Sequence, residues 1–228
     1  MNNHVKTLSP LADDAAERHA VLRNTYLLLA ISLLPTVLGA WIGIGLAQWA
    51  LEHPYMSGLL FFGGFIGLLR MMRAIERNKN SGSGVALLLG FTFFMGLTTS
   101  PLLGSVLGLS NGVQLIALAF GGTALIFGAM ASLAAVVKRD LSRLTKFLFI
   151  GVMLLMIAGV ANILLRLPAL ETMFSVGAVG IFSAFMMVDV RRVLDGSEAN
   201  YILATLNIYL DLANVFVNLL SLLRDFAG

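Results

Sequence analysis

Tyr201 to Leu223 reads YILATLNIYLDLANVFVNLLSLL. The stretch is long enough to cross a bilayer as one helix, which takes about 20 residues. Yet it carries Asn207, Asp211, Asn214 and Asn218. Their spacings of four, three and four put all of them on one helical stripe. The remainder is almost entirely Leu, Ile, Val, Ala, Phe and Tyr. A carboxylate near the middle of a membrane helix is costly unless it faces protein or water. This helix is therefore expected at the centre of a bundle, ringed by the other apolar segments. Asn207, Asn214 and Asn218 are candidates for lining a pore or for supporting Asp211.

The composition points the same way. Of 228 residues, 58% are hydrophobic and only 12% charged, with a mean hydropathy of +0.90. A soluble domain carries about 25% charged residues. An all-α, polytopic membrane protein is expected, with a polar N-terminal tail over residues 1–24 and one membrane domain over residues 25–228. The net charge of +3 does not point to nucleic acid, because the bases sit in short turns where they set topology. The chain has no Cys, and its three His lie outside or at the ends of apolar segments. No metal, cofactor or thiol chemistry is expected.

Taken in order, the chain opens with Ser9-Pro10 ahead of Asp13, Asp14 and Glu17, which resembles a helix start. The apolar run from Tyr26 to about Trp49 is too long for a signal-peptide core and is read as the first span, with Pro35 as a possible kink. Further spans are expected at about 54–72, 84–106, 112–137, 147–165, 170–190 and 201–223, seven in all. In the third, Ser100 and its neighbouring threonines can bond a carbonyl freed by Pro101. Gly39/Gly43, Gly63/Gly67 and Gly104/Gly108 read as sites of close helix packing. Thirteen of the fifteen Lys and Arg fall in the N-terminal tail and the 2–3, 4–5 and 6–7 turns, leaving Arg166 and Arg224. The positive-inside rule then puts the N-terminus in the cytoplasm and the C-terminus outside.

Two acids lie within spans, Asp189 and Asp211. A short turn joins their helices, so the two are antiparallel neighbours and the carboxyls can approach. Together in a low-dielectric site they cannot both ionise easily and would share a proton. The alternative is that each acid is separately satisfied and only holds helices together. Arg70, Arg73 and Arg77 are the basic candidates for a partner, with topology and lipid headgroups as their simpler role. Catalysis is not expected: no Gly precedes either Asp in the GxGD manner of intramembrane aspartyl proteases, and hydrolytic His motifs are missing.

Tyr209-Leu-Asp211-Leu-Ala-Asn214-Val-Phe216-Val-Asn218-Leu219-Leu220 resembles the last-helix signature of the Bax inhibitor-1 family. Val21-Leu-Arg23-Asn24-Thr25-Tyr26, Gly121-Gly-Thr-Ala-Leu125, Lys138-Arg-Asp-Leu-Ser142, Ala161-Asn162-Ile163 and Leu167-Pro-Ala-Leu170 are similar to its bacterial YccA branch. The resemblance covers essentially the whole chain. It implies a seven-helix fold with the last helix central. It implies that Asp189 and Asp211 form a pH-sensing pair closed by an Arg from the second helix, by preference Arg73, with Arg70 and Arg77 open.

For function, the resemblance implies a non-enzymatic protein of the bacterial inner membrane. The first expectation is a pH-sensitive leak for calcium or another cation. The second is a partner that restrains the membrane-anchored AAA protease FtsH through the N-terminal tail.

Overall fold

A computed structural model describes residues 5–46, 49, 52–165 and 168–227. Residues 1–4 of the tail, the end of the expected first span, Arg166 and Gly228 lie outside them. Among the described residues there are seven helices: α1 (Val5–Gly45), α2 (Pro54–Arg77), α3 (Gly82–Leu107), α4 (Gly112–Val136), α5 (Ser142–Leu165), α6 (Pro168–Asp195) and α7 (Tyr201–Ala227). Six are long and apolar enough to cross a membrane: 16–45 of α1, and α3 to α7. The remaining helix, α2, carries Arg70, Arg73, Glu76 and Arg77 in its last turns.

Local chemistry sets the helix ends. Asn200 caps α7, its Oδ1 accepting from the backbone N–H of Ile202 at 3.0 Å and of Leu203 at 3.1 Å. Gly196, at φ 82°, ends α6 in the left-handed conformation that a side chain disfavours. Asp140 accepts from the N–H and hydroxyl of Ser142 at the start of α5. The helix start expected at Ser9-Pro10 is displaced: α1 already begins at Val5 and runs unbroken through Pro35. Near the helix start, Pro10 deletes only one backbone bond. Pro101 lies inside α3, and the Leu97 carbonyl that it leaves free accepts from the Ser100 hydroxyl at 2.7 Å.

The last helix packs against α6, α4, α1, α3 and α2. Ten of its residues are buried, from Ile202 to Leu220. Among the described residues the expected ring of six is corrected to five, because α5 touches only α6. Between Lys146 and Asn162, α5 has no charged or amide side chain, so hydrocarbon can surround it at no polar cost. It docks on α6 by interdigitation, Gly151 facing Ile181 and Gly177 facing Leu155.

Between membrane helices no hydrophobic drive operates, and association rests on packing and buried hydrogen bonds. Glycine sets the closest approach, between α1 and α3. A Cβ on Gly39 would overlap the Phe93 carbonyl oxygen, one on Gly43 the Ser100 hydroxyl, and one on Gly96 the Thr36 carbonyl oxygen. Gly63, Gly67 and Gly104 meet nothing within 4 Å.

The basic turns gather at one end. Asn200 Nδ2 donates to the Lys79 carbonyl and to Asn80 Oδ1, both at 2.9 Å, joining the 6–7 turn to the 2–3 turn. Arg191 reaches the Ala134 carbonyl near the end of α4, and Arg18 of α1 lies against Gly196. At the opposite end, Arg224 pairs with Glu171 at 3.2 Å.

Gly39→Leu and Gly96→Leu should each destabilise the bundle by about 1–3 kcal/mol or more, the usual cost of overpacking. Gly63→Leu, into open space, should be near neutral. Thermal unfolding of the three purified variants checks this; equal loss in all three would refute the assigned α1–α3 contact.

Candidate functional site

The site forms where α6 and α7 lie side by side. Asp189 and Arg192 are three residues apart near the C-terminal end of α6, so they share a face. Arg192 Nη1 donates to Asp189 Oδ1 at 3.0 Å. The Asp189 side chain is 11% exposed and that of Arg192 43%, so the guanidinium links a buried carboxylate to the bundle surface. A cation at this helix end also suits the backbone dipole.

Asp211 faces this pair from α7. It is 6% exposed, and its Oδ2 is buried without a hydrogen-bond donor. The charges that act on it are those of Asp189 and Arg192. An unsatisfied buried acceptor costs about 1–3 kcal/mol, more when charged.

The structure thus places Asp189 near enough for its charge to act on Asp211. It does not bring Arg73 to them. Arg70, Arg73 and Arg77 are exposed and make no ion pair among the described residues. Arg192, which the sequence reading placed only in a basic turn, holds the position expected of Arg73. Its signal was the three-residue spacing from Asp189.

The asparagine stripe behaves differently from Asp211. Asn214 Nδ2 donates to the Leu210 carbonyl and Asn218 Nδ2 to the Asn214 carbonyl, both at 2.8 Å. Asn207 is half-buried. Two of the three amides therefore satisfy themselves on their own helix. The polar links between helices come from residues not singled out in advance. Thr205 Oγ1 reaches the Thr25 carbonyl of α1 at 3.2 Å. The Tyr209 hydroxyl meets Thr36 Oγ1 at 2.8 Å and donates to the Thr92 carbonyl at 3.4 Å, tying α7 to α1 and α3. Among the described residues no cluster of three His, Asp or Glu could hold a metal.

A bundle of membrane-length helices with a buried acid pair against its last helix defines a class of polytopic α-helical membrane protein. The model for "Inhibitor of apoptosis-promoting Bax1" matches residues 18–228. A Neisseria meningitidis serogroup A protein is 36% identical over 217 residues, 92% of this chain and 93% of its own. The Escherichia coli K12 protein named "Modulator of FtsH protease YccA" is 35% identical over 205 residues, 90% of each chain. A Vibrio cholerae membrane protein is 32% identical over 227 residues, 98% of this chain and 97% of its own. The chain belongs to the Bax inhibitor-1 family and is similar to YccA.

Arg192→Gln should destabilise the bundle by about 1–3 kcal/mol, the range for a hydrogen bond to a charged group. Adding Asp189→Asn should recover most of that loss, because no uncompensated charge remains. Chemical denaturation of the two single variants and the double variant measures the coupling, and strict additivity would refute the ion pair.

Proposed function

We propose that this chain is a non-enzymatic modulator of a membrane-anchored protease of the FtsH type in the bacterial inner membrane. The observation that supports this most directly is its 35% identity, over 90% of both chains, to the protein named modulator of FtsH protease. A relative at the same identity is named an inner membrane protein. The proposed topology has seven spans, α2 included, with the basic turns and the N-terminus cytoplasmic and the C-terminus outside. The thirteen-to-two division of Lys and Arg supports it, as does the gathering of the basic turns at one end. On this reading the handle for the protease is the start of α1.

A second reading is favoured by one specific feature, the orphan Oδ2 of Asp211 beside Asp189 and Arg192. A buried carboxyl pair with one guanidinium is neutral when it holds a single proton. Gain or loss of a proton unbalances the site, which suits a pH-sensitive leak for calcium or another cation.

The protease reading is tested by co-reconstituting the full chain with an FtsH-type protease and a membrane substrate. The full chain should slow degradation, and deletion of residues 2–15 should restore the rate. This deletion spares Arg18, which packs on Gly196. Asp211→Asn should modulate the protease like wild type. An unchanged degradation rate with the full chain defeats the reading.

The leak reading makes the opposite division. In proteoliposomes, the 2–15 deletion should conduct calcium like wild type. Asp211→Asn should lose most of the pH dependence between about pH 6 and 8, because an amide cannot titrate. No wild-type flux at any pH would remove this reading and leave the first untouched.

Topology is checked by labelling cysteines placed at Ser81 and Gly228, since the native chain has no thiol. Reaction of both from the same side of the membrane would overturn the proposed orientation.

A further inference from the structure

The 4–5 turn concentrates Lys138, Arg139, Arg143 and Lys146 within residues 138–146. All four are exposed, and none belongs to an ion pair among the described residues. The one carboxylate in the turn, Asp140, is engaged at the start of α5, where Ser142 donates to it from both backbone and hydroxyl. Those bonds hold its carboxyl below the ordinary carboxylate range. It therefore stays ionised, and it occupies the helix end itself. The four cations face outward, and among the described residues none of them forms an ion pair.

What continues from them along α5 indicates the ligand. Arg143, Lys146, Phe147, Ile150, Leu154 and Ile157 follow at helical spacing and share one stripe. Phe147 is 71% exposed, and Ile150, Leu154 and Ile157 are exposed as well. Among the described residues no other helix covers this stripe, since α5 packs there only on α6. Cations at one end, an aromatic ring at the boundary and aliphatic side chains beyond match a phospholipid in order, anionic headgroup first and acyl chain after.

We propose that the start of α5 is a binding site for anionic phospholipid. The headgroup phosphate sits on Arg143 and Lys146, with Lys138 and Arg139 reaching it from the turn, and an acyl chain lies along Phe147, Ile150 and Leu154. A soluble phosphate compound would use the cations but gain nothing from the apolar stripe.

The test uses the full chain with Trp41→Phe and Trp49→Phe, which removes both native indoles, and Phe147→Trp as a local reporter. In phosphatidylcholine vesicles, quenching by brominated phosphatidylglycerol is compared with quenching by brominated phosphatidylcholine. The expected preference for the anionic lipid is at least about fivefold, the contribution of a single Lys or Arg near an anionic surface. Replacing all four cations by Gln should bring it to about one, and exchanging Lys for Arg and Arg for Lys should keep it. Arg70→Gln with Arg77→Gln, which removes two charges elsewhere, should leave it unchanged. If the four-Gln variant does not fold, salt decides on the parent. The preference should collapse between about 0.01 M and 1 M ionic strength, where the Debye length falls from about 30 Å to about 3 Å. Equal quenching by the two lipids, a preference that survives four Gln substitutions or high salt, or displacement of the lipid by soluble glycerol phosphate would each overturn the proposal.

Discussion

In hydrocarbon there is no water to complete a hydrogen bond, so each polar group must find its partner inside the protein or be carried to the surface. Asp211 lies about ten residues into a span, too deep for its short side chain to reach an interface. It must therefore turn toward protein, and much of the bundle follows from that. The helix that carries it touches five others. The neighbour that meets the carboxylate, α6, brings both a second acid and a guanidinium. Arg192 can serve because its long side chain stays 43% exposed while bonding a carboxylate that is buried. Asp189 is thereby satisfied from its own helix. Asp211 Oδ2 is the one buried side-chain oxygen or nitrogen among the described residues left without a partner. Such a group is retained at a cost, and titratable groups held this way concentrate at functional positions.

Around this centre the helices are held by close approach rather than by bulk. Glycines and one serine let α1 and α3 touch along their backbones. The Tyr209 hydroxyl then bonds to both helices at the seam, and its ring stands edge-on to Phe91 at 6.5 Å. The two devices depend on each other. A side chain at Gly39 or Gly96 would push α1 from α3, and a single hydroxyl could no longer reach both Thr36 and Thr92.

How much of this was legible in the sequence follows from the kind of signal involved. The position of α7 was readable because a carboxylate in an apolar run admits few placements. The local repair at Pro101 was readable as well, because the Ser100 hydroxyl bonds the freed Leu97 carbonyl whatever the tertiary context. The packing of α5 was not. A ring of six was inferred from one polar helix, although nothing polar on α5 required an interior neighbour. The asparagine stripe was over-read for a related reason. An amide four residues after a free carbonyl lobe can bond its own helix, as Asn214 and Asn218 do. Spacing alone therefore cannot distinguish a self-satisfied Asn from one that bridges helices. Arg192 was missed because it was grouped with its turn, whereas its position relative to Asp189 was what mattered. Thr205 and Tyr209 carried no visible signal, since threonine and tyrosine are ordinary residues of an apolar span until their hydroxyls are placed.

The two functional readings meet in one helix pair. α1 begins at Val5 in the segment proposed as the protease handle and continues without a break into the bundle. Along the way Arg18 lies on Gly196 at the end of the helix bearing Asp189, Thr25 accepts from Thr205, and Thr36 meets Tyr209, two residues before Asp211. A helix transmits displacement along its axis better than a loop would, because its backbone bonds resist local bending. Any rearrangement at Asp211 that turns or shifts α7 must therefore either break the two contacts at Thr205 and Tyr209 or carry α1 with it. Breaking them would strand the Tyr209 hydroxyl in an apolar interior at a cost of about 1–3 kcal/mol. Moving α1 as a body costs little on its outer face, where Leu34, Val37 and Trp41 are exposed. The acid pair and the N-terminal segment thus belong to one mechanical unit, whichever of them carries the biological signal.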